Sequence, residues 1–464
     1  MGLVELSASP IIFLTEDTMS GSLNITAATI DQALLDLPWS LPLELWPDST
    51  IATLPKGISR HLVRFVHLSG YVVAIKETSA ELATREYDML RTLQRMDIPC
   101  VEPLAVITNR SSDQGEPLES VLVTRHLKFS LPYRALYSQT LRPDTATRLV
   151  DAAAVLLVRL HIIGFFWGDV SLSNTLFRRD AGAFAAYLVD AETGQLYTGG
   201  LSNGQRENDL EIARINIAGE LLDLQAGGRL QDDVDPIAIS NGIVAQYRTL
   251  WKELTGSEQF DQSERWRINQ RVERLNDLGF DIEELAIRTD TTGTQVRIQP
   301  KVVDAGHHQR RLLRLTGLDA QENQARRLLN DLDSYVATYG DAEVDEEMAA
   351  HEWVAQVFEP VIRAIPREMQ GKLEPAEMFH QLLDHRWYVS QNQQRDVPLA
   401  EAVQSYVDNV LRHRRDEATI IDPPTGSFTA PIDIVSAHAA GDGTVDDTVH
   451  DTVDGEEEDW RKNV

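Results

Sequence analysis

The chain has 464 residues, 42% hydrophobic and 25% charged, which suits a folded protein of roughly two or three domains and excludes a disordered or fibrous one. Its formal net charge of -29 at pH 7 argues against a general binder of nucleic acid or of anionic membrane, since both would repel it. Cys100 is the only cysteine, so an intrachain disulfide and a cysteine-rich zinc site are both excluded, and a reducing compartment is expected.

The opening MGLVELSASPIIFL carries an acid where a signal peptide needs positive charge, and its apolar run is short. Met19 begins a second opening and is expected to be the natural start. Residues 1–48 are read as an N-terminal extension. From Ser49 to Glu77 the pattern is β-like: alternation around Leu62, Arg64 and Val66, a turn at Ser69-Gly70, then the apolar run Tyr71 to Ile75. Leu82, Tyr87, Leu90 and Leu93 fall near helical spacing and predict a helix over Glu81 to Met96. Val101 to Thr108 and Ser120 to Thr124 are predicted strands, with a polar loop from Arg110 to Glu119 between them.

After Arg125 the character changes. Asp144 to Ile163 predicts a long apolar-faced helix that stops at Gly164. The most apolar stretch, Leu149 to Phe166, is interrupted by Asp151, Arg159 and His161, so it reads as a core helix and not a membrane span. Cytoplasmic placement is expected. A strand-loop-strand follows, with Thr175 to Phe177 and Ala186 to Val189 as arms, then a helix from Asp209 to Gln225 ended by Gly227-Gly228. Strands first and helices after, with one embedded hairpin, is an α+β order.

Chemistry concentrates in Leu160 to Phe177, LHIIGFFWGDVSLSNTLF. It sets Asp169 and Asn174 in one loop, and an aliphatic strand then delivers Asp190. Phosphoryl transfer needs one carboxylate to orient and deprotonate an acceptor hydroxyl, and an amide with a second carboxylate to hold magnesium. Upstream, Val72 to Lys76 is a strand ending in a lysine, and Glu86 lies on the helix after it. His161 reads as a packed, hydrogen-bonded core histidine. Asp209 is expected to cap its helix or to bond the backbone of the Asp169 loop.

These motifs, Asp-x-x-x-x-Asn with a strand and another Asp beyond it, resemble the protein-kinase superfamily. The form Leu-His-x-x-Gly...Gly-Asp-x-x-x-x-Asn is closer to its atypical branch, which includes the lipopolysaccharide-core (Kdo) sugar kinases and the aminoglycoside phosphotransferases. The resemblance implies a bilobal protein-kinase-like fold with a β-rich N-lobe over 49–125 and a helical C-lobe over 126–230. It implies Asp169 as catalytic base, Asn174 and Asp190 as metal ligands, and Lys76 as the phosphate clamp paired with Glu86, or else with Glu81. It further implies nucleotide contacts from Gly57 and Ser59, in a loop with one glycine where three are usual, and from Val123, Thr124, Arg125 and His126 through backbone groups. ATP and Mg2+ are the implied cofactors. Departures are Trp167 before the loop, Ser171 where many kinases have lysine, and Ala191-Glu192 after Asp190. Glu192 is either a metal contact or a salt-bridge partner.

Only nineteen positions separate Asp190 from Asp209, with no Ala-Pro-Glu-like motif between. That span favours a small-molecule, glycan or lipid-linked hydroxyl acceptor over a protein. A pseudokinase, sensing nucleotide or acting as a scaffold, is the alternative.

Residues 231–416 read as a mainly helical unit with a hairpin around Thr291 to Thr294. A protein partner is possible there. Lys301 to Arg327 holds six Lys or Arg against three acids; it is either an anion pocket or a helix pair whose arginines meet nearby acids. Trp353, Phe358, Phe379, Trp387 and Tyr388 are expected in the core. Residues 417–464 read as a disordered acidic tail. As a whole the chain resembles an actinobacterial family that joins a lipopolysaccharide-kinase-like domain to a helical domain of unknown function.

Overall fold

The computed structural model describes residues 23–28, 31–47, 50, 62–137, 143–261, 264, 266–277, 280–289, 295–339 and 345–419. Strand β1 (Asn24–Ala27) is followed by two 3-10 turns, Gln32–Leu34 and Leu43–Leu45, and by β2 (Val63–Leu68) and β3 (Tyr71–Thr78). Ser69 and Gly70 join the last two with φ of 43° and 88°, the left-handed pair that a two-residue turn between right-twisted strands requires. Helix α1 (Ala80–Arg95) begins where the Ser79 hydroxyl accepts the Leu82 N–H. β4 (Pro103–Thr108) and β5 (Ser120–Arg125) complete an antiparallel sheet of order β1-β4-β5-β3-β2.

Alternation decides what this sheet needs. Val66, Leu68, Val73, Ile75, Val121 and Val123 form one apolar face, and Leu34, Trp39, Leu43 and Trp46 cover it. The described part of the stretch expected as an extension, residues 23–28 and 31–47, is therefore part of the N-lobe: β1 is an edge strand, and the cover withdraws apolar side chains from water, at about 1.5–3 kcal/mol for each buried leucine. Arg110 holds this cover in place. Its guanidinium, fully buried, donates to the carbonyls of Trp39 (3.2 Å), Leu41 (2.6 Å) and Glu119 (2.7 Å) and pairs with Glu77 at 2.8 Å.

The second lobe contains β6 (Leu131–Pro132), α2 (Tyr133–Tyr137), α3 (Pro143–Ile162), β7 (Phe165–Phe166), β8 (Thr175–Asp180), β9 (Ala183–Leu188), β10 (Gln195–Leu196), α4 (Asn203–Ala226) and α5 (Pro236–Thr255). α3 stops at Gly164, where φ is +85° and an added Cβ would lie 2.3 Å from the Tyr197 carbonyl oxygen. α4 starts at Asn203 and not at Asp209, because Ser202 and Gln205 cap each other reciprocally. Two strand pairs shape the cleft side of this lobe: β7 pairs with β10, and β8 pairs with β9. The core of this lobe runs past residue 230, through Ile243, Tyr247, Leu250 and Leu254 of α5 and on to Leu275 and Phe280.

Next in the chain is a three-stranded sheet of order β11-β13-β12, from β11 (Glu258–Asp261), β12 (Phe280–Thr289) and β13 (Gln295–Ala305), with α6 (Trp266–Asp277) between. β12 and β13 flank the expected hairpin turn, which lies outside the described residues; β11 has no counterpart among the expected strands. α7 (His307–Thr316), α8 (Glu322–Tyr339), α9 (Glu346–Trp353), α10 (Glu359–Ala364), α11 (Pro375–Gln393) and α12 (Leu399–Asn409) enclose a separate core around Trp353, Phe358, Phe379 and Tyr406. Trp387, expected in that core, is 50% exposed on the outer side of α11. Glu417, expected to open the tail, is buried in a 3-10 turn, Glu417–Thr419. Residues 420–464 and 1–22 lie outside the described residues. The whole is the bilobal α+β arrangement with a helical unit after it, and no described helix is long and apolar enough to cross a membrane.

Arg110→Met removes the guanidinium that joins the cover to the sheet and leaves Glu77 unpaired. We expect a loss of about 3–5 kcal/mol in denaturant unfolding monitored by tryptophan fluorescence. An unchanged midpoint would contradict this anchoring.

Candidate active site

Both functional loops hang from the two strand pairs. The loop carrying Asp169 and Asn174 runs from β7 to β8, and the segment carrying Asp190 and Glu192 runs from β9 to β10. Because β7 pairs with β10 and β8 with β9, the loops lie side by side. The Val189 N–H donates to the Asn174 carbonyl at 3.0 Å, which brings Asp190 next to Asn174. The Trp167 indole N–H donates to the Asp190 carbonyl at 2.8 Å, and the Thr193 hydroxyl donates to the Trp167 carbonyl at 2.7 Å.

One face of α4 holds the Asp169 loop. Asp209, fully buried, accepts the N–H groups of Trp167 and Gly168, each at 2.8 Å, and a ring nitrogen of His161 at 3.1 Å. Its role is thus to bond loop backbone; it does not cap the helix. The other His161 ring nitrogen meets the Tyr247 hydroxyl at 2.7 Å, the packed core histidine expected. Asn216 donates to the Asp169 carboxylate and to the Val170 carbonyl, both at 3.2 Å. Glu220 accepts the Leu172 and Ser173 N–H groups at 2.7 and 3.0 Å. Asp209, Asn216 and Glu220 are spaced seven and then four apart, so they share one side of the helix. Asn216 and Glu220 escaped the sequence reading, although this polar stripe was the available signal. Asn174 donates its side-chain amide to the Asp169 carboxylate and carbonyl, each at 3.1 Å.

The N-lobe contribution comes from β3 and α1. Lys76 points off the sheet face opposite the tryptophan cover, and its ammonium meets three carboxylates: Glu86 at 2.9 Å, Asp190 at 2.8 Å and Glu192 at 3.1 Å. Glu86, not Glu81, is the α1 partner, and Glu192 is a salt-bridge partner here. Arg85 adds a second tie from α1, donating to the Gly194 carbonyl at 3.0 Å. Burial opposes the Lys76 charge, but Glu86 and Asp190 overcome it and raise its pKa. Burial and the neighbouring Asp190 push Glu86 up to about 7 against the pull of Lys76.

Three carboxylates around one ammonium leave two excess negative charges when all are ionised. Their oxygens, from Glu86, Asp190 and Glu192, lie within 4.8 Å of one another, an all-oxygen donor set that suits a hard divalent cation.

The other expected nucleotide contacts divide. Gly57 and Ser59 lie outside the described residues. Strand pairing sets Phe65, Ala74 and Thr124 in one row on the Lys76 face. His126 is buried with its ring edge-on to Phe65, and burial lowers its pKa to about 4, so it is neutral. Two backbone donors expected at the adenine end are already used: the Arg125 N–H bonds Glu102 and the His126 N–H bonds Val72, which the sheet requires of residues leaving β5. Of the arginines between Lys301 and Arg327, Arg311 pairs with Glu346 and Arg327 with Asp384.

A raised carboxyl pKa means the folded state holds a proton that the unfolded state has released, so ionised Glu86 weakens the fold as pH rises from about 4.5 to 7. Glu86→Gln removes that dependence. Relative to wild type it should gain on the order of 1 kcal/mol per pH unit across this window, measured by urea unfolding at several pH values. A difference that does not vary with pH would contradict the environment described for Glu86.

Residues 67–215 match the family model described as lipopolysaccharide kinase (Kdo/WaaP) family, and residues 249–411 match a domain of unknown function, DUF4032. Among curated proteins none matches. One similar solved structure, "WaaP in complex with acyl carrier protein", is 15% identical with a TM-score of 0.31, covering 50% of this chain and 90% of that one. By these family models the chain combines a region similar to the lipopolysaccharide kinase (Kdo/WaaP) family with, after it, a region similar to DUF4032.

Proposed function

We propose that this chain is an ATP- and Mg2+-dependent phosphotransferase acting on a hydroxyl of a small-molecule, glycan or lipid-linked acceptor. The match of residues 67–215 to the lipopolysaccharide kinase (Kdo/WaaP) family model supports the reaction class. The observation that carries the reading is the meeting of Lys76, Glu86 and Asp190, which ties an N-lobe strand and helix to a C-lobe loop across the cleft.

Asp169 takes the proton of the acceptor hydroxyl as its oxygen bonds to the γ-phosphorus. The bond from that phosphorus to the β,γ-bridging oxygen breaks, and ADP leaves with the electron pair. Asn216 and Asn174 hold the Asp169 carboxylate in place by donating to it. Lys76 turns from its surplus carboxylates to the nucleotide phosphates, with Glu86 keeping it aligned. Asn174 and Asp190, with Glu192 near, would hold Mg2+, which when bound neutralises phosphate charge. The short connection from β9 to α4 leaves little surface for docking a peptide, which supports a non-protein acceptor.

The test is Mg2+-dependent ATP binding by calorimetry together with ATP consumption in the presence of hydroxyl acceptors. Asp169→Asn should lower turnover roughly 10²–10⁴-fold while leaving nucleotide affinity intact. Asp190→Asn should remove the Mg2+ dependence of binding. Nucleotide binding with no turnover in wild type, across sugars, glycans and lipid-linked sugars, would replace this reading with a nucleotide-sensing pseudokinase.

A further inference from the structure

The β8–β9 hairpin has Asn174 at one end of its base and Asp190 at the other, and its far end enters the helical unit. Each arm has six residues, so the hairpin spans about 20 Å from base to tip. The tip is a two-residue turn, Ala181 and Gly182, with φ of 48° and 83°.

The contacts at that tip are unlike a surface turn. Arg179, 6% exposed, makes a bidentate pair with Glu417, Nε to both oxygens at 2.9 and 3.0 Å and Nη2 at 2.7 Å. Asp180, 2% exposed, accepts the Gln324 N–H at 2.7 Å and the Asn323 side-chain amide at 2.9 Å. The Ala181 N–H donates to Glu377 at 3.0 Å, and Gln324 donates to the Arg179 carbonyl at 3.0 Å. Further along, Arg178 pairs with Glu374 and the Tyr187 hydroxyl donates to Gln321 at 2.6 Å. The apolar cores of the two units share no residue. A buried joint made of ion pairs and amide hydrogen bonds is a weak source of net stability but fixes one geometry, since any slip leaves charges unpaired in the interior.

We propose that the helical unit, the residues matching DUF4032 together with the turn at Glu417 just beyond them, is a positioning module for the phosphotransferase site: it grips the hairpin tip and so fixes Asn174 and Asp190 at the base. Arg179, Asp180 and Tyr187 are positioning residues that act through the ladder. The α4 stripe holds the Asp169 loop from one side, and the helical unit holds the hairpin from the other. The metal-holding part of this role rests on the phosphotransferase reading; the mechanical coupling does not.

The experiment uses the full chain. The double variant Arg179→Gln/Glu417→Gln neutralises the pair without stranding a charge, and Tyr187→Phe/Asn323→Ala serves if the first does not fold. Hydrogen exchange should rise about ten-fold at residues 189–193 while residues 167–173, held by α4, stay protected. The Mg2+ needed for half-maximal ATP binding should rise about ten-fold, with metal-free ATP affinity unchanged. Arg327→Gln, which breaks a pair inside the helical unit, should leave 189–193 as in wild type. Exchange that rises in α11 but not at 189–193 would overturn the proposal. If wild type binds no nucleotide, the phosphotransferase reading falls, and the exchange data still decide the coupling.

Discussion

The ammonium of Lys76, largely withdrawn from water among three carboxylates, is the constraint on which the site depends. Its charge is tolerable there only because Glu86, Asp190 and Glu192 arrive from two separate elements, and each carboxylate is tolerable only because the lysine is present. The requirement propagates outward. β3 must keep its register so that Val73 and Ile75 face the tryptophan cover while Lys76 faces the cleft. α1 must lie close enough for Glu86, and Arg85 reinforces this by binding Gly194. β9 must end where Asp190 reaches the lysine.

The resting arrangement is over-supplied with negative charge. One ammonium cannot satisfy three carboxylates, and burial together with the neighbouring Asp190 pushes the Glu86 pKa up to about 7. A divalent cation would relieve that surplus, and on the proposed function Lys76 would then exchange Glu192 for phosphate oxygen. On the proposed function, divalent-ion binding would follow from this imbalance as well as from the oxygen ligands nearby.

Much of the site was legible because its signals are local. Lys76 and Glu86 are separated by a strand end and the first turns of a helix, so their 2.9 Å approach comes from short-range geometry. Asp169, Asn174 and Asp190 flank one hairpin, and hairpin pairing alone brings their neighbourhoods together. What was not legible depends on distant partners. Asn216 and Glu220 share a helix face with Asp209, but the loop that this face holds lies far upstream, and nothing local to the helix names it. Trp39 and Trp46 read as an extension because nothing local shows that a sheet face well downstream in the chain needs covering. Glu417 sits at the edge of a polar, acidic stretch, and its pairing with the buried Arg179, with its N–H bonded to the Lys372 carbonyl, explains its inclusion in the fold.

Diffraction from crystals grown with Mn2+ and a non-hydrolysable ATP analogue, recorded at the manganese absorption edge, tests the central claim most directly. An anomalous peak is predicted beside Asp190 and Asn174, with phosphate oxygens on Lys76 and Glu192 released from it. Nucleotide bound elsewhere, or Lys76 keeping all three carboxylates at saturating nucleotide, would contradict it.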